Sequence, residues 1–300
     1  MSGLLTHREF LTQRDLRSRY DVVIVGGGVN GLSLAFHLAE YHGIRDVAVL
    51  ERSYIGSGGS GRNTQVVRAT YNTTETVPLY ATSLGMYRSL SQELDFNVLF
   101  TQRGVLTLAH SERAMITMTE RASVNRLLGI DTRIVELDEL AELCPQLDLG
   151  RRKLWPIIGA MWHPRGGIIR HDAVVWGYAR AADRLGVEIH QGTRVTGFGQ
   201  ERGRITSVET TRGRIECGTV ISAVAGWSSE LLGLAGIRLP ITTHILQAFV
   251  TEPVRRFLDP TVVSSQMRIY IHQTTRGELV AGTEVEPYTT YKGAGTLGFM

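Results

Sequence analysis

The segment Gly26-Gly27-Gly28-Val29-Asn30-Gly31 has glycines at Gly26, Gly28 and Gly31, where a backbone that turns tightly and passes close to a bulky anion needs them. It follows the apolar run Asp21-Val22-Val23-Ile24-Val25 and leads into a helix, so the first N–H groups of that helix, around Val29 and Asn30, would face a pyrophosphate. Glu51 comes twenty residues after Gly31, at the end of a second apolar run, Val47-Ala48-Val49-Leu50. An acid there is expected to accept the hydroxyls of an adenosine ribose. Glycine-rich turns are common on their own. Strand, glycines, helix, strand and acid in register are the physical recipe for holding a dinucleotide.

These residues need a βαβ unit over roughly 20–52 to position them. Leu32, Leu34, Ala35, Leu38 and Ala39 recur at helical spacing and predict the face that packs on the sheet, with His37 and His42 at the surface. Beyond it, Gly56-Ser57-Gly58-Gly59-Ser60-Gly61 reads as a flexible loop leading into Arg62-Asn63-Thr64-Gln65-Val66-Val67-Arg68-Ala69-Thr70-Tyr71. A helix is expected from about Val77 to Leu94, a strand pair over Leu99 to Ala109 turning at Arg103-Gly104, and helical structure over 112–143 with polar and charged faces. His171 and Asp172 open a further helix with the apolar face Val174, Val175, Tyr178, Ala182 and Leu185, stopped by Gly186. Short strands follow at Val187–His190 and at Val195–Phe198. A hairpin then turns over Thr211-Arg212-Gly213, and a buried strand from Thr219 runs into a helix near Ala225-Gly226-Trp227-Ser228.

Three hundred residues with 43% hydrophobic content suit a two-domain globular protein. The net charge is +3, and the arginines are scattered rather than gathered into a stripe with aromatics, which argues against nucleic acid as a partner. Cys144 and Cys217 have no metal-like or redox-motif spacing, so buried thiols in a reducing compartment are expected, with no metal site. The first twenty residues contain no apolar core of a signal peptide, and no later run is long enough to span a membrane. A cytoplasmic protein with no membrane partner is the expectation. There are no internal repeats.

Together, the glycine motif with Glu51, the stretch Arg62-Asn63-Thr64 to Arg68 and Tyr71, Gln102-Arg103-Gly104, and Pro164-Arg165-Gly166-Gly167 before Arg170-His171-Asp172-Ala173-Val174 resemble the beta subunits of heterotetrameric sarcosine oxidases. The similarity runs from about residue 18 to 290, within the wider group of amine-oxidising flavoproteins. It implies an α/β fold with a Rossmann-like, discontinuous FAD-binding domain of glutathione-reductase type (18–110 and 169–235) and a β-rich substrate domain (111–168 and 236–300). It also implies non-covalent FAD held by Gly26, Gly28, Val29, Asn30, Gly31, Glu51, Arg52, Gly59, Arg62, Asn63, Thr64, Val195, Ala225 and Gly226. By the same resemblance Arg68 pairs the substrate carboxylate and Tyr71 lies beside it; a planar guanidinium fork suits that task. A solvated or phosphate-directed Arg68 is the plainer reading.

The resemblance further implies a second flavin, FMN, attached covalently to His171, where this chain meets the alpha subunit of a complex that also holds gamma and delta subunits. Attachment needs an unprotonated imidazole nitrogen, which the positive end of a helix favours; without the resemblance His171 is only the residue before an Asp172 cap. The implied reaction oxidises an N-methyl amino acid, sarcosine, by hydride transfer to flavin. The imine is hydrolysed to glycine and formaldehyde, or its carbon reaches tetrahydrofolate elsewhere in the complex, and oxygen becomes hydrogen peroxide. N-methylglutamate or dimethylglycine dehydrogenase is the alternative in the same class. Two departures stand out. Val280 occupies the place where monomeric relatives carry a lysine over the flavin. The relatives also continue for roughly another hundred residues beyond the position of Gly298-Phe299-Met300, with a segment that closes over the FAD. A chain ending here is expected to be a fragment, or a non-catalytic flavin-binding or assembly module.

Overall fold

The computed structural model describes residues 10–291, apart from the side chains of 284–288; the expected break at the C-terminus lies outside them. In chain order the elements are β1 (Arg19–Val25), α1 (Val29–Tyr41), β2 (Val47–Leu50), β3 (Val66–Val67), α2 (Thr76–Glu93), β4 (Thr101–Gln102), β5 (Val105–Ala109), α3 (Glu112–Leu127), β6 (Arg133–Val135), α4 (Leu137–Leu143), β7 (Gly159–His163) and β8 (Gly167–Ile168). They continue with α5 (His171–Arg184), β9 (Glu188–His190), β10 (Val195–Glu201), β11 (Arg204–Thr210), β12 (Gly213–Ser222), α6 (Ser228–Gly233), β13 (His244–Val250), β14 (Thr261–Ser264), β15 (Ile269–Gln273) and β16 (Leu279–Thr289). The chain forms two compact units. Unit 1 comprises residues up to Asn63, Gln92–Asn97 and His171–Thr243; unit 2 comprises Thr64–Ser91, Val98–Arg170 and the chain from His244.

Unit 1 is built on a six-stranded sheet in the order β10-β11-β12-β1-β2-β9. β12, β1, β2 and β9 run parallel, while β10, β11 and β12 form an antiparallel meander. Val23, Ile24 and all four residues of β2 are buried, as continuous apolar runs in a parallel sheet require. α1 buries Gly31, Leu32, Ala35, Phe36 and Ala39 and packs beside α5, where the rings of Phe36 and Tyr178 lie 5.8 Å apart. His37, expected at the surface, is half-buried on this face with its Nδ1 2.6 Å from Ser33 O; His42 is exposed. Tyr20, Val23, Leu50, Val208, Ile215 and Leu231 lie in the hydrophobic cluster of this unit.

Unit 2 carries a seven-stranded sheet, β13-β16-β15-β14-β5-β7-β6, and a small sheet, β3-β8-β4. The expected hairpin over Leu99–Ala109 does not form. β4 pairs with β8, whereas β5 lies between β14 and β7 in the other sheet. Gly104 is the reason: at φ +79° its N–H donates to Gly166 O at 2.9 Å and its carbonyl accepts from Thr261 N at 3.1 Å, so the chain changes sheets there. The expected helical stretch 112–143 is two helices, because Gly129 at φ +79° follows α3 and β6 then adds an edge strand beside β7. Val280 lies buried on β16, in register with Val250 of β13 and His272 of β15. Both cysteines are buried free thiols, and burial raises the pKa of each. Among the described residues, no helix is long and apolar enough to cross a membrane.

Candidate functional site

In unit 1 the glycines are required by close approach. A Cβ on Gly31 would sit 2.0 Å from Gly26 O, and one on Gly26, at φ +114°, would sit 2.5 Å from Ala223 O. Gly28 is the N-cap of α1 and supplies no capping side chain, and the first turn of α1 holds no acid. The positive end of the helix is therefore not answered by its own sequence. Val29 N–H donates to Ser60 Oγ at 2.9 Å, so the loop from Gly56 to Asn63 folds back over this turn. Gly56 N–H donates to Gly27 O at 2.9 Å, and Asn63 Nδ2 donates to Ser60 O at 2.8 Å and to Gly59 O at 3.3 Å.

Glu51 follows β2 and is 8% exposed. Its Oε2 accepts from Gly27 N–H at 2.9 Å, and its Oε1 accepts from Ser53 N–H at 2.9 Å and Ser57 Oγ at 3.2 Å. The carboxylate thus organises the glycine turn itself, and about one of its four lone-pair positions is left for a ligand hydroxyl. The guanidinium of Arg52 lies 3.8 Å from the ring centroid of Trp227, which binds this edge to the Ala225–Trp227 turn. Ala225 holds φ +50°, and Gly226 O accepts from Thr243 Oγ1 at 2.5 Å. Val195 opens β10 in register with Thr210, its side chain in the core.

His171 is the first residue of α5. Its Nε2 lies 2.9 Å from Gly61 O. A carbonyl only accepts, so Nε2 carries the proton in the neutral ring and Nδ1 presents a lone pair. Nδ1 is buried without a hydrogen-bond partner, 3.9 Å from Asp172 Oδ1.

In unit 2, Thr64 is tied to β15: its hydroxyl donates to Tyr270 Oη at 3.1 Å and its carbonyl accepts from His272 Nε2 at 2.8 Å. Arg68 donates from Nη1 to Thr70 O at 2.5 Å and lays its guanidinium 4.5 Å from the centroid of Tyr71. Tyr71 is in turn stacked on Tyr80 at 3.7 Å. Burial raises the pKa of the Tyr71 phenol. Below this segment, His163 is 1% exposed; its Nδ1 is 2.9 Å from Asp131 O and its Nε2 accepts from Ala69 N–H at 3.4 Å. Desolvation keeps the His163 pKa below its ordinary value.

The sequence pattern did not single out α3 as part of this cluster. Arg121 donates from Nη2 to Thr70 O at 2.7 Å, the oxygen that Arg68 also uses, and Asn125 one turn later donates to Tyr71 O at 3.3 Å. Asn125 is fully buried on the stripe of Met118 and Ala122, and an amide among apolar positions at helical spacing is the signal that could have found it. No group of His, Cys, Asp and Glu that could hold a metal occurs among the described residues.

Residues 21–298 match the family model "FAD dependent oxidoreductase". The chain is 43% identical over 300 residues to the sarcosine oxidase subunit beta of Rhizobium meliloti, covering 99% of this chain and 72% of that protein. With the subunit of the same name from an Arthrobacter species it shares 41% identity over 299 residues, covering 99% and 74%. Among solved structures, L-proline dehydrogenase from P. horikoshii superposes with a TM-score of 0.86 at 28% identity, covering 95% of this chain and 75% of that one. The expected α/β flavoprotein fold is the one observed, and the chain belongs to the family of FAD-dependent oxidoreductases.

Proposed function

We propose that this chain is the amine-oxidising beta subunit of a sarcosine-oxidase-type complex with alpha, gamma and delta partners, acting in the cytoplasm. FAD fits unit 1 by the shape of its turn. The cradle at Gly26, Gly28 and Gly31 is one that Cβ atoms would fill, α1 has no acid in its first turn and no capping side chain at Gly28, and Glu51 stands at its edge. Val29, Asn30, Gly59, Arg62 and Asn63 would hold the pyrophosphate side, with Arg52, Val195, Ala225 and Gly226 around the remainder. FAD supplies the two-electron acceptor. The protein orients the substrate and excludes water.

The observation that carries the substrate reading is Arg68: a guanidinium held over Tyr71, with no carboxylate partner among the described residues. It suits the carboxylate of sarcosine, whose N-methyl carbon loses a hydride to give an imine and then, with water, glycine and formaldehyde. That the 41–43% identical relatives are named sarcosine oxidase subunit beta supports this substrate. The test is to co-express the chain with its partner subunits and measure formaldehyde and peroxide formed from sarcosine, N-methylglutamate and dimethylglycine. Turnover of sarcosine is expected. An FAD-loaded complex that oxidises only one of the other amines would move the substrate, and one that oxidises none would overturn the reading.

His171 is assigned the covalent FMN, since its Nδ1 lone pair is unpartnered. Flavin that stays with a His171 peptide after acid precipitation, and is lost in His171→Asn while FAD remains, is the expected result. A washed chain without flavin would remove His171 from the site.

A further inference from the structure

We infer that Arg121 is the second cation of the carboxylate subsite in unit 2 and sets its preference for substrates bearing a negative charge; this rests on the reading of Arg68 above. The geometry is specific. Arg68 Nη1 and Arg121 Nη2 reach the same acceptor, Thr70 O, at 2.5 and 2.7 Å, so two guanidinium groups meet at one buried residue. Neither has a carboxylate within ion-pair distance among the described residues, and Arg121 Nε is buried with no hydrogen-bond partner. One carbonyl carries only a partial charge. It cannot neutralise two cations.

Like charges brought together in a partly desolvated place are costly unless an anion joins them. The cost is visible at Arg121, whose pKa burial first and the Arg68 charge second push down from its ordinary value to about 10. The group stays protonated at neutral pH, so the charge is retained. Arg68 spends one N–H on Thr70 and one face on Tyr71, which leaves its remaining edge for a carboxylate, and Arg121 adds a second positive field from α3. Asn125 completes the arrangement by binding the next carbonyl, Tyr71 O, so α3 fixes both the backbone and the charge. The two roles are separable: Asn125 acts on the backbone alone, whereas Arg121 acts on the backbone and on the anion.

The test uses the FAD-loaded complex with Arg121→Gln, Arg121→Lys and Asn125→Ala. Arg121→Gln is expected to raise the KM for sarcosine about tenfold, as loss of one charge-assisted contact implies, with kcat changed less than about twofold. Arg121→Lys should recover most of that loss, and Asn125→Ala should lower the melting temperature. A second readout needs no turnover: the rise in melting temperature with sodium acetate over sodium chloride at equal ionic strength, expected for the wild type and Arg121→Lys and reduced in Arg121→Gln. An Arg121→Gln complex with unchanged KM and an unchanged acetate effect would overturn the inference while sarcosine turnover left the functional reading intact. So would equal losses in Arg121→Gln and Arg121→Lys, which a purely structural role predicts. If no N-methyl amine is oxidised but the acetate effect still depends on the charge at Arg121, the anion subsite stands and the functional reading falls.

Discussion

In unit 1 the proposed FAD site is made of backbone N–H groups at a turn between β1 and α1, steadied by the single carboxylate of Glu51. In unit 2 the proposed carboxylate subsite is made of charged side chains, with Arg68 and Arg121 delivered to Thr70 O from separate segments. A site made of backbone has its shape fixed by the absence of side chains; one extra methyl group destroys it, while distant charges matter little. A site made of guanidinium groups tolerates changes of shape at its edges but not loss of charge. Substitutions of the two kinds should therefore fail in different ways.

The largest effect is expected at Gly31. An alanine there puts its Cβ 2.0 Å from Gly26 O, a backbone atom that cannot swing aside. Overpacking of this kind costs about 3 kcal/mol or more. Gly31→Ala should purify without flavin absorbance, and normal FAD content in that variant would contradict the assignment of the turn. Next comes Arg68. Arg68→Met is expected to leave FAD content unchanged and to raise the KM for sarcosine about a hundredfold, the loss expected for a paired, charge-assisted contact. A variant that loses FAD instead would mean that Arg68 serves the cofactor.

A smaller change is expected from Glu51→Gln. The amide keeps one acceptor oxygen but turns an NH₂ toward either Gly27 N–H or Ser53 N–H, where donor now meets donor. FAD affinity should fall about tenfold and the melting temperature by a few degrees, measured by titration of the apoprotein and by thermal melts. Unchanged affinity would show that the carboxylate is not needed to hold the turn.

The contrast between the units also explains what could be read in advance. Residues 22–51 were legible because the pattern that marks them is local: the apolar runs, the glycines and Glu51 lie within one βαβ unit, and α1 and α5 formed where their periodicity indicates. Leu34 and Leu38 proved only half-buried, with Phe36 taking the face toward Tyr178. Unit 2 was less legible. The chain path at Gly104 depends on its hydrogen bonds to Gly166 and Thr261 and on the ring of Trp162, which a Cβ at position 104 would meet at 1.7 Å. None of this is written in the local pattern Gln102-Arg103-Gly104. Arg121 could be read only as a charge on a helix face, because its meaning comes from Thr70, fifty-one residues away.

The smallest expected effect is one of pH, and it bears on both units. Burial lowers the pKa of His190 in unit 1 and of His163 and His272 in unit 2 below 6.5. Below pH 6.5 the unfolded chain takes up protons that the folded chain refuses, so the free energy of unfolding falls with acidification until the folded pKa values are passed. The stability these three neutral rings contribute is therefore fully present above about pH 6.5 and is lost progressively below it. Melting temperatures recorded from pH 7.5 to 5 should show this decline, and a flat profile would contradict it. His163→Asn and His190→Asn should each flatten the curve at the acid end. Only His163 also holds Ala69 N–H, next to Arg68, so His163→Asn alone should raise the KM for sarcosine as well. A KM change in His190→Asn would mean that the two units do not fail separately.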